Sequence, residues 1–175
     1  GGSGTMSAQQ AKTNEKVYLN QNTFTREGYT FAGWATSSSD NAAYADQAAY
    51  TVGTNAEYTL YAVWIKAAYT ITYHMNGGSN SVNNPAGYDV TDATITFAYP
   101  TRDGYTFLGW YTDAAFQNKI TSIPSGSTGN KVVYASWSAN INTINFNANG
   151  GSGNMSAQQA KTDEAINLTQ NAFTR

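Results

Sequence analysis

Along residues 69–76, Tyr69, Ile71, Tyr73 and Met75 alternate with Thr70, Thr72, His74 and Asn76. A period of two puts the apolar groups on one face of a strand and the polar groups on the other. The pattern returns 73 residues later, with Ile144, Phe146 and Ala148 on the apolar face and Thr143, Asn145 and Asn147 opposite. Both runs lead into Asn-Gly-Gly, at residues 76–78 and 149–151. Asn-Gly suits a type I′ turn, whose two central residues need positive φ, so a hairpin is expected at each.

The segment after that turn is ambiguous. Residues 7–12 offer Ser7 as a helix N-cap with Gln10 three positions on, but the corresponding residues 83–88, Asn-Asn-Pro-Ala-Gly-Tyr, have no helical character. An irregular strand fits both, followed by a strand near residues 17–19, 94–97 and 166–168. Next comes a tight Thr-Arg-Glu/Asp-Gly turn in which Gly28 and Gly104 can take the left-handed conformation. The strand beyond it carries Tyr29, Phe31 and Gly33 on one side and Ala32 and Trp34 on the other. Apolar groups on both faces indicate a central strand. A looser region containing one helical turn is expected near residues 44–49, and the last strand at residues 59–64 and 131–137.

The chain repeats itself. Thr-Arg-Glu-Gly-Tyr-Thr-Phe-Ala-Gly-Trp from Thr25 returns at Thr101 as Thr-Arg-Asp-Gly-Tyr-Thr-Phe-Leu-Gly-Trp, and Tyr-Ala-Val-Trp from Tyr61 returns at Tyr134 as Tyr-Ala-Ser-Trp. Residues 1–26 match residues 150–175 at 19 of 26 positions. The period is therefore 73–76 residues. The expected architecture is a mainly β or α+β chain of tandem small modules: residues 1–66 as a first repeat lacking its leading strand, 67–139 as a complete one, and 140–175 as a third, cut after its first hairpin. The leading strand of that third repeat runs from Ile141 to Asn149. It is the piece the first repeat lacks, so head-to-tail self-association through it is expected to complete the first repeat of another copy.

Composition narrows the function. Only 11% of the 175 residues are charged, against about 25% in a typical soluble domain. The net charge of −2 offers no footprint for nucleic acid, and no apolar run approaches the roughly 20 residues that insertion across a membrane requires. With no cysteine there is neither a disulfide framework nor a thiolate metal site. The abundant aromatics, 13 Tyr, 7 Phe and 4 Trp, supply area to bury.

Taken in order, strand-Asn-Gly-Gly, Thr-Arg-x-Gly-Tyr-Thr-Phe-x-Gly-Trp and Tyr-Ala-x-Trp resemble the Listeria–Bacteroides repeat, the B-repeat family of internalin B. The resemblance spans nearly the whole chain and departs from the pattern at residues 83–88 and in a shortened loop before Tyr134. It implies a β-grasp-like module strung in tandem in secreted or cell-wall-attached bacterial proteins, hence an extracellular place on the bacterial surface. It also implies work as a stalk, spacer or adhesive segment. No catalytic residue is attributed to the family, so none is carried over.

The residues themselves give no reason to add one. His74, the only histidine, lies on the polar face of its strand and becomes Asn147 in the next copy. Asp40, Asp46, Asp89, Asp92 and Asp113 are scattered, and Glu27 and Asp103 fit local turn bonding. Nothing singles out Lys12, Lys66, Lys119 or Lys131 for an isopeptide bond. No cofactor or metal is expected. Aromatics that recur with the period are assigned to the core or to packing between neighbouring repeats. Tyr44, Tyr50, Tyr88, Tyr99 and Phe116, which do not recur, are the candidates for a binding surface. The sequence thus points to a non-enzymatic stalk or spacer. The alternative is a module binding host glycan, mucin or protein through exposed aromatics.

Overall fold

The computed structural model describes residues 2–175, and among them the chain is all-β, with no helix. Its strands are β1 (Lys16–Tyr18), β2 (Tyr29–Ala35), β3 (Ala49–Thr51), β4 (Tyr61–Lys66), β5 (Tyr69–His74), β6 (Gly87–Tyr88), β7 (Ile95–Thr96), β8 (Tyr105–Tyr111), β9 (Lys119–Ile120), β10 (Ser122–Ile123), β11 (Lys131–Ala139), β12 (Ile141–Ile144) and β13 (Gln158–Lys161). The helical turn expected near residues 44–49 is absent, and the α+β option goes with it. Tyr44 instead forms an antiparallel bridge to Trp34, and Ala49 opens β3.

By packing, the chain divides into two units. The first runs through Thr70 and adds Gly87–Ile95 and Ile123–Asn130. In it β1 pairs antiparallel with β3, β2 pairs antiparallel with β4, and Tyr69 and Thr70 of β5 oppose Tyr88 and Gly87 of β6. Trp34, Ala35, Tyr88 and Ile123 are its buried apolar residues. The second unit comprises Ile71–Ala86, Thr96–Ser122 and Lys131–Arg175. Its main sheet has the order β5-β11-β8-β9, with Ile71 to His74 parallel to Lys131 to Tyr134 and the other pairs antiparallel. Ile71, Phe97, Trp110, Val133 and Ala135 are buried there, and β12 pairs antiparallel with β13.

The turns are those the sequence predicts. Asn76 and Gly77 have φ of 49° and 87°, Asn149 and Gly150 have 44° and 83°, and the closing bonds run from Gly78 N to Met75 O and from Gly151 N to Ala148 O. Beyond the turns the chain returns as β6 and as β13, each antiparallel to the strand that precedes its turn. Ser3, Ser79 and Ser152 also each exchange two backbone hydrogen bonds with Thr25, Thr101 and Thr174, at 2.7–3.0 Å. The second glycine of Gly-Gly lies under the tryptophan of Tyr-Ala-x-Trp, where a Cβ on Gly78 would overlap the Trp137 ring. Gly-Gly-Ser is thus an integral part of the repeat.

The face assignment of the long strand is corrected. Strict alternation separates Phe31 from Trp34, yet their rings meet edge to face at 5.0 Å, and those of Phe107 and Trp110 at 5.4 Å. A β-bulge is responsible. Phe31 faces Trp64 and Gly33 faces Val63, so Ala32 has no opposite number and the following residues change faces. Gly33 and Gly109 have φ of 141° and 144° there. The strand is central as expected in the second unit, where β8 lies between β11 and β9.

The ambiguous segment is held by side-chain amides acting as a replacement backbone. Gln9 donates to Tyr18 O and accepts from Asn20 N, at 2.7 and 3.0 Å. Gln158 does the same to Asn167 O and Thr169 N, at 2.8 and 3.0 Å. In the middle copy Asn84 clamps both backbone groups of Ala98. Residues 7–12 have no strand pairing, whereas their counterparts Gln158–Lys161 form β13. Residues 166–168 pair with no strand.

Candidate functional site at the repeat junctions

The Thr-Arg-x-Gly-Tyr turn carries the joint between successive repeats. Gly28 and Gly104 have φ of 75° and 74°, a left-handed conformation that glycine adopts without Cβ strain. The closing bonds run from Tyr29 N to Arg26 O and from Tyr105 N to Arg102 O. Each arginine folds back over the tyrosine ring, at 3.7 Å for Arg26 on Tyr29 and 3.5 Å for Arg102 on Tyr105. The glycine carbonyl then accepts from the linker that leads into the next repeat: Ala67 N to Gly28 O and Asn140 N to Gly104 O, both 2.9 Å.

The other half of the joint is a loop of the following repeat. A Cβ at Gly28 would overlap the side chain of Val90, and one at Gly104 that of Thr162. These partners are equivalent positions of one turn. Asp89 N donates to Asp92 Oδ2 and Lys161 N to Glu164 Oε2, both at 2.8 Å, while Asp92 N and Glu164 N donate back to Asp89 O and Lys161 O. Residues 12–15 build the same turn, with Lys12 N donating to Glu15 Oε2 at 2.6 Å. The signal lay in the sequence as Lys-Thr-Asn-Glu and Lys-Thr-Asp-Glu, read there only as part of a match between copies.

Polar side chains close the two joints differently. At the first, Lys66 Nζ pairs with Asp89 Oδ2 at 2.5 Å and donates to Thr91 Oγ1 at 3.1 Å. Asp89 Oδ1 accepts from both Thr91 N and Oγ1. The Lys66 bond, seconded by Thr91, holds the Asp89 carboxyl down to about 2, and the same bond raises Lys66 above its usual value. At the second, Tyr105 Oη donates to Asp163 Oδ2 at 2.9 Å, Thr106 Oγ1 to Asn140 Oδ1 at 2.7 Å, and Thr162 N to Asn140 O at 2.9 Å. The Asp163 bond raises the Tyr105 hydroxyl pKa.

Of the five aromatic candidates, Tyr44 and Tyr50 meet each other. Within the first unit Tyr50 touches Tyr44 at 5.2 Å and Tyr58 at 6.1 Å, edge to face. Tyr88 is 7% exposed, and its hydroxyl donates to Gly129 O. In the second unit Tyr99 is 79% exposed with Phe107 at 5.3 Å, and Phe116 lies against Tyr111 at 5.6 Å. His74 is exposed and stacks on Tyr134, 4.5 Å between centroids. Among the described residues no three His, Asp or Glu side chains converge as metal ligands would. Asp113 instead caps its own loop by accepting from Gln117 N and Asn118 N, which lowers its pKa.

Comparison with known proteins places these motifs. The Listeria–Bacteroides repeat domain matches the chain twice in succession, over residues 1–63 and 69–136, and the chain belongs to that family. It is 32% identical over 133 residues, 75% of its length, to a protein of Evansella cellulosilytica provisionally named a Gly-rich membrane protein. It is 33% identical over 129 residues, 73% of its length, to a second protein of that organism, provisionally named a membrane protein. It is 31% identical over 127 residues, 67% of its length, to internalin H of Listeria monocytogenes. The chain spans 15%, 18% and 21% of these three relatives, respectively. No solved structure matches.

Substitution and pH both test the joint. Gly28→Ala meets both a left-handed φ and Val90, whereas Gly150→Ala meets a φ of 83° with open space around it. Chemical denaturation is expected to show a loss of about 1 kcal/mol for Gly150→Ala and a clearly larger loss for Gly28→Ala. Folding lowers the Asp89 pKa, so that contribution is full above the usual 3.8 and fades as pH falls toward 2. Folding raises the Lys66 pKa, so its contribution is full below 10.5 and fades above it. Thermal melts of Asp89→Asn against the unmodified chain are expected to show a small deficit at pH 7, as for an exposed pair. The gap should close on both the acid and the alkaline side.

Proposed function

We propose that this chain is a non-enzymatic spacer, a stretch of tandem Listeria–Bacteroides repeats from a larger protein of the bacterial cell envelope, exposed at the surface. The relatives named as membrane proteins and as an internalin support the envelope. The observation that carries the spacer reading is the joint. It is built twice on equivalent positions, with a glycine carbonyl gripping the linker and the next repeat's loop seated on the glycine. A connection that had only to link two domains would be a flexible polar stretch, yet here the linker is hydrogen-bonded in both cases. Small-angle scattering on arrays of two to five repeats tests it. The maximum dimension should rise by a constant step per repeat, and a size growing only as a compact globule would overturn the reading.

A second reading, adhesion to host glycan, mucin or protein, is favoured by Tyr99, which stands 79% exposed beside Phe107. Such paired rings suit stacking on a sugar face or anchoring an interface. A glycan and cell-binding screen with multivalent arrays is the check. Adhesion predicts binding that Tyr99→Ala weakens at least tenfold, and a blank screen removes the reading.

A further inference from the structure

The Asn76-Gly77 turn of the second repeat brings together the groups of a self-contained reaction. A backbone nitrogen that follows asparagine can attack the side-chain carbonyl, and glycine leaves that nitrogen unscreened because it has no side chain. Asn76 and Gly77 are both exposed, so water reaches them as well. Nucleophile, electrophile and solvent are in place, and what the folded turn withholds is rotation.

Ring closure needs the Asn76 side chain to swing and the Asn76–Gly77 peptide to turn. The side chain is tied to the last strand of the repeat, because Asn76 Nδ2 donates to Ala135 O at 2.8 Å. The peptide is tied by its oxygen, which accepts from Arg102 Nη1 at 2.8 Å. Gly78 N on Met75 O, at 3.0 Å, fixes the turn at φ of 49° and 87°. Trp137 Nε1 donates to the same Met75 O at 2.8 Å. Ala135 and Trp137 belong to β11, which receives Ile71 to His74 of β5 in parallel register. The side-chain restraint therefore lasts only while β5 stays on β11.

We propose that Asn76-Gly77 is a self-modification site, silent in the folded repeat and active once β5 parts from β11. Gly77 N gives up its proton and bonds to Asn76 Cγ, the Cγ–Nδ2 bond breaks, and Nδ2 leaves as ammonia. The product is a cyclic succinimide, which water opens at either carbonyl. Breaking the N–Cγ bond gives aspartate. Breaking the bond from N to the backbone carbon gives isoaspartate, whose chain runs through Cγ. Neither product restores the clamp, since an ionised carboxylate accepts hydrogen bonds and cannot donate one to Ala135 O. In isoaspartate the turn also gains a backbone atom, and the oxygen that held Arg102 becomes part of a free carboxylate. Opening is thus recorded covalently, and an opened repeat closes less well afterwards. Conversion in the native state tracks the population of the open form.

Mass spectrometry of tryptic peptides follows the reaction. Residues 67–102 and 132–161 form separate peptides, so Asn76 is read apart from Asn149. At pH 8 and 37 °C the native 175-residue chain should convert Asn76 at least tenfold more slowly than a synthetic peptide of residues 69–82. Rising urea should bring the chain to the peptide's rate as it unfolds. Val133→Ala hollows the buried side of β11 and leaves the turn's residues unchanged, and it should speed conversion in buffer severalfold. In an Asn149→Gly background, chains held in urea and then diluted should lose their refoldable fraction in step with Asn76 conversion. Adding Asn76→Gly should abolish that dependence on time. Native conversion at the peptide's rate overturns the proposal. So does a native rate that neither urea nor Val133→Ala changes, or converted chains that refold and melt as unconverted ones do. None of these outcomes bears on whether longer arrays gain length per repeat, so the spacer reading stands or falls separately.

Discussion

The parallel pairing of Ile71 to His74 with Lys131 to Tyr134 is the contact on which the second unit depends. It joins the first strand of a repeat to the last, some 60 positions apart, and a module of this size has little core to spare. Val133 and Ala135 of β11 are sealed from solvent. Around the pairing, the Asn76 amide donates to Ala135 O and Arg102 donates to Asn76 O, at 2.8 Å each, so one turn fastens three strands.

That arrangement also explains why the motifs of the sequence travel together. Asn-Gly-Gly provides the turn, the second glycine admits the tryptophan of Tyr-Ala-x-Trp, and the next serine pairs with the threonine of Thr-Arg-x-Gly. The arginine covers the tyrosine and, in the second copy, reaches the asparagine carbonyl. Trp110 Nε1 donates to Ala98 O, whereas Trp34 Nε1 is buried without a partner among the described residues. At the equivalent of Ala98 the first copy has Asn22, which turns its side chain onto Phe24 instead.

Backbone geometry dictated by residue type was legible in the sequence. Asn-Gly and x-Gly-Tyr declare their φ angles, and alternation declared β5. The reversal after Phe31 was not, because a bulge is a count of residues on two strands and one strand's pattern does not contain it. Nor were the amide clamps of Gln9, Asn84 and Gln158, which satisfy backbone groups through side chains lacking any periodic signature. Tyr88 was grouped with surface aromatics because it fails to recur. Its burial comes instead from Tyr69 and from the carbonyl of Gly129, 41 positions away in sequence. The joints were visible only as matched letters, since seeing why Gly28 is glycine requires Val90 to be set against it.

The strand directions carry a mechanical meaning. In the second repeat the chain enters at β5 and leaves at the end of β11, and these strands run parallel side by side. Tension along the chain therefore draws them past each other lengthwise. Every rung of the ladder is loaded at once, in shear. An antiparallel pair pulled from its open end would part like a zip, one rung at a time. A module closed in this way resists force best along the direction in which a tethered chain is stretched.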